Sequence, residues 1–376
     1  MPRDLTHVII ADDIRTDLSK EAARVTKENQ AAFHMGAISY DSFLYGSSPK
    51  TSTTLHGGLG HDTRDVMIKM MDDIRAEKSP EKKDLKKAFL YGFLTHTAVD
   101  SSFHPFVYSV SGSQLRENNT SETGVLMAKA RHRYVETWLD MHFIEKRGYV
   151  FDNFRPLRKI AADVKMRKTA GNFLCDAIEA AYGAKDGVRK DFQRGLITQL
   201  FVGKITRNQT LGKALRRLDT FFEGRLGTAV SGFYQKDRLM PPSLTDFTAF
   251  KHPVTGETVK KTLNDLESDA VLKGRGLIAA AEKYLENGNK REFFKAVPNV
   301  NLDTGMENTR LADVKHVEPA DLSVLRGEKM KKFMQKTPLR FMVSGAEAQK
   351  GRDSVNKNGN AVKTAEILKR KLRREY

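Results

Sequence analysis

Histidines and carboxylates recur four residues apart in the first 150 residues, and this spacing constrains the fold more than any other feature of the chain. His96-Thr-Ala-Val-Asp100 is followed four residues on by His104-Pro105, and His132-Arg-Tyr-Val-Glu136 repeats the arithmetic. Residues four apart on a helix share a face, with Cβ atoms about 5–6 Å apart. Each pair therefore offers an imidazole nitrogen and a carboxylate oxygen to one point, and zinc accepts both ligand types. Eight of the ten histidines lie before residue 143. A lone histidine on an apolar face is usually a packed core residue. A neighbouring carboxylate changes that, because a buried carboxylate needs a compensating cation or several hydrogen bonds. Two such pairs, with further histidines upstream, predict a multinuclear metal site carried on helices.

The surrounding pattern is helical as well. Asp17–Phe33 is an amphipathic run, and His61–Lys78 brings Val66, Met70 and Ile74 together at helical spacing. Asp84–Asp100 keeps Leu85, Phe89, Gly92, Phe93 and His96 on one face, and Ala128–Glu145 repeats this with Tyr134, Trp138, Leu139 and His142. Asp186–Lys236 still reads as helix. Breakers mark the connections at Gly46-Ser-Ser-Pro49, Ser79-Pro80, His104-Pro105, Pro241-Pro242 and His252-Pro-Val-Thr-Gly256. The prediction is an all-α, multi-helix bundle. Residues 1–150 form its metal-binding catalytic core, and 151–325 continue the helices and pack on that core. Residues 326–376 form a basic tail ending in the short helix Ala361–Tyr376.

The single cysteine, Cys175, rules out an intramolecular disulfide and fits a reducing compartment. The segment MPRDLTHVII lacks the apolar run of a signal peptide, and nowhere are 18 consecutive residues apolar. The expectation is a cytoplasmic protein, at most peripheral to a membrane. Charge is unevenly divided. Residues 1–150 hold 20 Lys+Arg and 20 Asp+Glu, so the remaining residues carry the whole net charge of +17. A cationic region suits anionic partners such as acidic lipid headgroups, phosphorylated substrates or nucleic acid, or it is a solubilising surface.

Other ligand candidates stand around the two pairs. Asp41 closes Gly36-Ala-Ile-Ser-Tyr-Asp41 at a helix exit. His7 lies in an apolar segment where a polar ring needs a reason. His56 and His61 flank a Gly-Gly-Leu-Gly turn, and either is a candidate. His34 and His142 are weaker, and His252 and His316 sit in polar loops.

These residues, in this order, resemble the zinc-dependent phospholipase C family, whose fold is shared with the fungal single-strand nucleases. The motifs span residues 4–140, and Lys251–Ile278 also looks like the family's later region. The resemblance implies a helical core with zinc ions in one cleft. It implies that Asp100 bridges two of them, sharing one with His7 and the other with His96 and the His56 or His61 ligand. His104, His132 and Glu136 would hold the third. Asp41 would orient or deprotonate the attacking water. Two departures are visible. Secreted members use the amino group of a first-residue tryptophan as a ligand, whereas the only tryptophan here is Trp138. The gap from His104 to His132 is also longer, so Ser109–Ala128 is expected as an inserted loop overhanging the cleft. The expected complement is two to three zinc ions.

Zinc lowers the pKa of bound water toward about 7, and a metal pair can clamp a phosphoryl group. The predicted activity is therefore phosphodiester hydrolysis, with phospholipid cut to diacylglycerol and a phosphorylated headgroup. Phe43, Leu44, Tyr45, Phe103, Phe106 and Tyr108 either rim the cleft for acyl chains or pack the core, and core packing is expected for most. One alternative is a zinc-dependent nuclease acting on single strands, with Phe233, Tyr234 and Phe247 as exposed aromatics beside a basic groove. Another is a non-enzymatic, membrane-associated protein with a structural zinc cluster.

Overall fold

The computed structural model describes residues 3–319 apart from 48, 119–121, 184–186, 222–225 and 236–241. The expected basic tail and its terminal helix, and the first two residues, lie outside the described residues. The chain is all-α. In order, the helices are α1 (Asp4–Arg15), α2 (Lys20–Glu28), α3 (Gln30–Ser42), α4 (Pro49–Leu55), α5 (Arg64–Ala76), α6 (Pro80–Ser111) and α7 (Glu122–Lys146). There follow α8 (Leu157–Ala162), α9 (Val164–Tyr182), α10 (Val188–Ile205), α11 (Gln209–Phe221), α12 (Gly227–Val230) and α13 (Pro242–Thr245). A two-residue antiparallel pair, β1 (Phe250–Lys251) with β2 (Thr258–Val259), precedes α14 (Leu263–Asn287) and α15 (Lys290–Ala296). A second such pair is β3 (Val300–Asn301) with β4 (Met306–Glu307).

Helix α6 is the central element, flanked chiefly by α3 and α14. Its start has a local cause. Ser79 caps it by accepting a hydrogen bond from the Lys82 N–H, and Pro80 supplies the preset φ of a first helical residue. Its crossing with α3 is unusually close. A Cβ at Gly36 would stand 2.1 Å from the Phe89 carbonyl oxygen, and one at Gly92 would stand 1.9 Å from that of Phe33. Separation of packed helices follows the side chains at the contact, so reciprocal glycines let these two backbones meet.

The helix boundaries differ from expectation in three places. The run Asp17–Phe33 is broken at Asn29, so that α3 starts afresh and carries Asp41 near its end. Helix α6 does not stop at His104-Pro105 but continues to Ser111. Proline removes one backbone hydrogen bond, freeing the Ser101 carbonyl. That carbonyl faces Gly305, whose φ of +69° and lack of a Cβ allow the close approach. Third, α6 and α7 absorb both ends of the expected Ser109–Ala128 loop, leaving a connection of about ten residues between them.

Candidate metal centre

Five pieces of chain bring side chains to one buried place. Helix α1 supplies His7, α3 supplies Asp41, and His56 follows α4 directly. Helix α6 supplies His96, Asp100 and His104 at successive four-residue steps, and α7 supplies His132 and Glu136. Three groups have ligand atoms within 4.8 Å of one another: His7, His96 and Asp100; Asp41, His56 and His96; and His104, His132 and Glu136, all buried. Continuing α6 through Pro105 keeps His104 on the same face as His96 and Asp100.

Asp100 is the hub, and its two oxygens face different partners. Oδ1 lies 3.3 Å from His7 Nε2 and 3.8 Å from His104 Nε2. Oδ2 lies 2.9 Å from His96 Nε2 and 3.3 Å from His56 Nε2. Asp41 Oδ1 stands 3.8 Å from His56 Nε2 and 4.0 Å from His96 Nε2. His132 Nε2 and Glu136 Oε1 are 2.9 Å apart. The His7 and His96 rings stack with centroids 4.1 Å apart.

The other ring nitrogens show which protonation state this arrangement imposes. Nδ1 of His56 meets the Ser52 carbonyl at 2.6 Å, Nδ1 of His96 meets that of Ala37 at 2.8 Å, and Nδ1 of His104 meets that of Leu302 at 2.8 Å. A carbonyl only accepts, so each Nδ1 carries the proton and donates, leaving Nε2 as a lone pair. These three lone pairs converge on carboxylate oxygens that are themselves acceptors. Among the described residues none of His56 Nε2, His96 Nε2, His104 Nε2, Asp41 Oδ1, Asp100 Oδ1 or Asp100 Oδ2 has a hydrogen-bond partner. Acceptors facing acceptors in a buried site are costly unless a cation lies between them. The donor set of imidazole nitrogen and carboxylate oxygen, without thiolate, fits zinc.

Electrostatics point the same way at His96 and Asp41; at His56 burial lowers the pKa, but the interaction with Asp100 outweighs it and raises it. Burial pushes His96 down to about 4, which keeps its ring neutral at pH 7. Burial, and then the nearby Asp100 charge, raises Asp41 well above the usual carboxylate range. Two buried carboxylates this close do not both ionise comfortably without positive charge.

Not every candidate histidine reaches this place. His61 lies in none of the three groups; its ring sits against Tyr182, with centroids 4.8 Å apart. Gly57, at φ +79°, turns the chain immediately after His56 and separates the two. His34 pairs with Asp12, and His142 lies beside Trp138. The Nδ1 of His252 accepts hydrogen bonds from its own loop.

Of the proposed rim, Phe43, Phe103, Phe106 and Tyr108 are buried core residues, and Leu44 is exposed. The aromatics expected of a nuclease groove are not available. Phe233 and Tyr234 are buried, and Phe247 stacks on Phe106.

Several supporting residues carried no obvious sequence signal. Leu302 accepts from His104 Nδ1 and donates its own N–H to the His56 carbonyl, joining two of the groups. Asp303 Oδ1 stands 3.6 Å from His104 Nδ1 and accepts from the Tyr108 hydroxyl at 3.3 Å. Asp140 accepts from the Thr6 N–H, the Thr6 hydroxyl and the Tyr234 hydroxyl, each at 2.7 Å, and so fixes the residue before His7. Asp140 did have a signal, since it continues the four-residue steps of His132 and Glu136.

Residues 6–184 match the family described as zinc dependent phospholipase C. The matched stretch contains every residue of the three clustered groups. No curated protein and no solved structure matches the chain. The family is one of hydrolases, and the match bears out the resemblance over the motifs up to residue 140, whereas Lys251–Ile278 lies beyond it. Among the described residues no helix is long and apolar enough to cross a membrane.

Proposed function

We propose that this chain is a zinc-dependent phosphodiester hydrolase that cleaves phospholipid to diacylglycerol and a phosphorylated headgroup. The convergence of partnerless imidazole lone pairs and carboxylate oxygens on Asp100 carries this reading. It supports a cation-binding centre of two to three ions. His7, His96, His56 and Asp100 would hold one pair, and His104, His132 and Glu136 a further ion. When bound, zinc would supply hydroxide at neutral pH and a positive charge for the phosphoryl oxygens.

The protein's own residues do the rest. Asp100 presents one oxygen to His7 and the other to His56 and His96, so it would neutralise cationic charge on either side. The carbonyls of Ser52, Ala37 and Leu302 fix the orientation of the three rings they bind. Asp41 sits near the C-terminal end of α3, beside His56 and His96, where its carboxylate would take a proton from an attacking water. Contact of the basic second half with anionic membrane would bring the lipid substrate to this centre.

A small substrate panel tests the reading. Phosphorylated headgroup should be released from short-chain phospholipid, and nucleotide should not be released from a single-stranded oligonucleotide. Nucleotide release without headgroup release would move the assignment to a nuclease. Neither product, from zinc-loaded protein, would point to a structural zinc cluster.

A further inference from the structure

Helices α10 and α11 lie beyond the family match and present two different sides. The inner side of α10 belongs to the surroundings of the metal centre. A Cβ at Gly195 would lie 2.0 Å from the carbonyl oxygen of Ser42, the residue after Asp41. Gln199 accepts from the Ser42 hydroxyl at 2.7 Å and donates to Asp4 at 2.6 Å. The outer side is apolar and basic. Ile197 and Phe201, one turn apart, are 59% and 60% exposed, and Lys190, Arg194 and Lys204 are exposed around them. Helix α11 continues the theme after a three-residue turn, with Leu211, Leu218 and Phe221 exposed beside Arg217.

No acid is exposed on either helix. Their only carboxylates, Asp191 and Asp219, are buried; Asp191 accepts from Ser47, and Asp219 accepts from the Leu226 N–H at 2.8 Å. Among the described residues Lys190, Arg194, Lys204 and Arg217 face no carboxylate in an ion pair. Exposed Ile, Leu and Phe flanked by Lys and Arg are the composition of a helix lying in a lipid headgroup layer.

Charge decides between occupants. The chain's own final segment, Ala361–Tyr376, is itself rich in Lys and Arg and would be repelled. A second copy would set like charges against like. Single-stranded nucleic acid would want a run of aromatic platforms, whereas Ile197, Leu211 and Leu218 are aliphatic and only Phe201 and Phe221 are aromatic. We propose that the outer faces of α10 and α11 dock the protein on an anionic phospholipid surface. Docking there would bring lipid to the helix that packs on Ser42, next to Asp41. The proposal rests on phospholipid being the substrate.

The test uses the full zinc-loaded chain and sedimentation with vesicles of phosphatidylcholine, alone or mixed with phosphatidylglycerol. Wild type should bind the mixed vesicles, bind the neutral ones less, and lose affinity as salt rises. Ile197→Asp with Phe201→Asp should cut binding tenfold or more. Lys190→Glu with Arg194→Glu and Lys204→Glu should do the same, at roughly five-fold per basic charge removed. Both variants should keep wild-type melting behaviour, zinc content and hydrolysis of a soluble phosphodiester. Unchanged vesicle binding in both variants, or equal wild-type binding to neutral and anionic vesicles, overturns the proposal. So does loss of oligonucleotide binding with vesicle binding retained. Vesicle binding by a wild type that hydrolyses no diester leaves the docking face standing and removes the hydrolase reading instead.

Discussion

Asp100→Asn changes one atom of the carboxylate on which the centre turns, and it should separate metal binding from folding. Asp100 is fully buried and faces Nε2 of His7, His56, His96 and His104 at 2.9–3.8 Å. With three of those nitrogens held as lone pairs, the wild-type protein needs a cation there. Zinc that binds only the folded state stabilises it by RT ln(1 + [Zn]/Kd), about 2.7 kcal/mol at a hundredfold excess over Kd. For a chain of this size, with an unfolding entropy of about 2 cal/mol/K per residue, that corresponds to a rise in Tm of roughly 3–4 °C. The asparagine amide can donate to one Nε2, supplying a hydrogen bond that Asp100 lacks, and it removes a buried negative charge worth several kcal/mol of desolvation. The metal-free variant should therefore melt at or above metal-free wild type, while its zinc-dependent rise should fall close to zero. Thermal melts with zinc and with chelator, read beside zinc per chain, measure both effects. A variant with the wild-type zinc content and the wild-type rise would refute the bridging role.

Other substitutions probe the remaining parts. Asp41→Asn should keep nearly full zinc and lose about 10²-fold or more in turnover, the usual worth of a positioned base; metal loss as large as that of Asp100→Asn would make Asp41 a ligand instead. His132→Ala should release one zinc per chain, because His104 and Glu136 alone leave an ion under-coordinated; full zinc content would count against that group. Gly92→Ala places a methyl 1.9 Å from the Phe33 carbonyl, against backbone that cannot step aside, and should cost about 1–3 kcal/mol by denaturant titration. An unchanged midpoint would show that the α3–α6 crossing relaxes freely.

The parts of the centre that were legible in the sequence are those whose geometry is local. His96 with Asp100, and His132 with Glu136, declare themselves because a helix converts a spacing of four into a shared face. His104 was legible as a ligand although Pro105 marked a break; the helix runs on through the proline to Ser111. The choice between His56 and His61 was not legible, since it depends on the direction in which Gly57 turns the chain. Leu302 was invisible for a different reason. It acts through its backbone, which any residue supplies, and it reaches His56 and His104 from about 200–250 residues away. The glycine contact between α3 and α6 was equally hidden, since Gly92 read only as one more position on an apolar face.

The central claim is that buried acceptors around Asp100 exist to hold metal. Elemental analysis of protein purified after zinc-supplemented expression tests it most directly. Two to three zinc ions per chain are expected, removed by chelator together with the thermal stabilisation they confer. A folded protein that carries no zinc, and whose melting temperature is indifferent to zinc and to chelator alike, would contradict it.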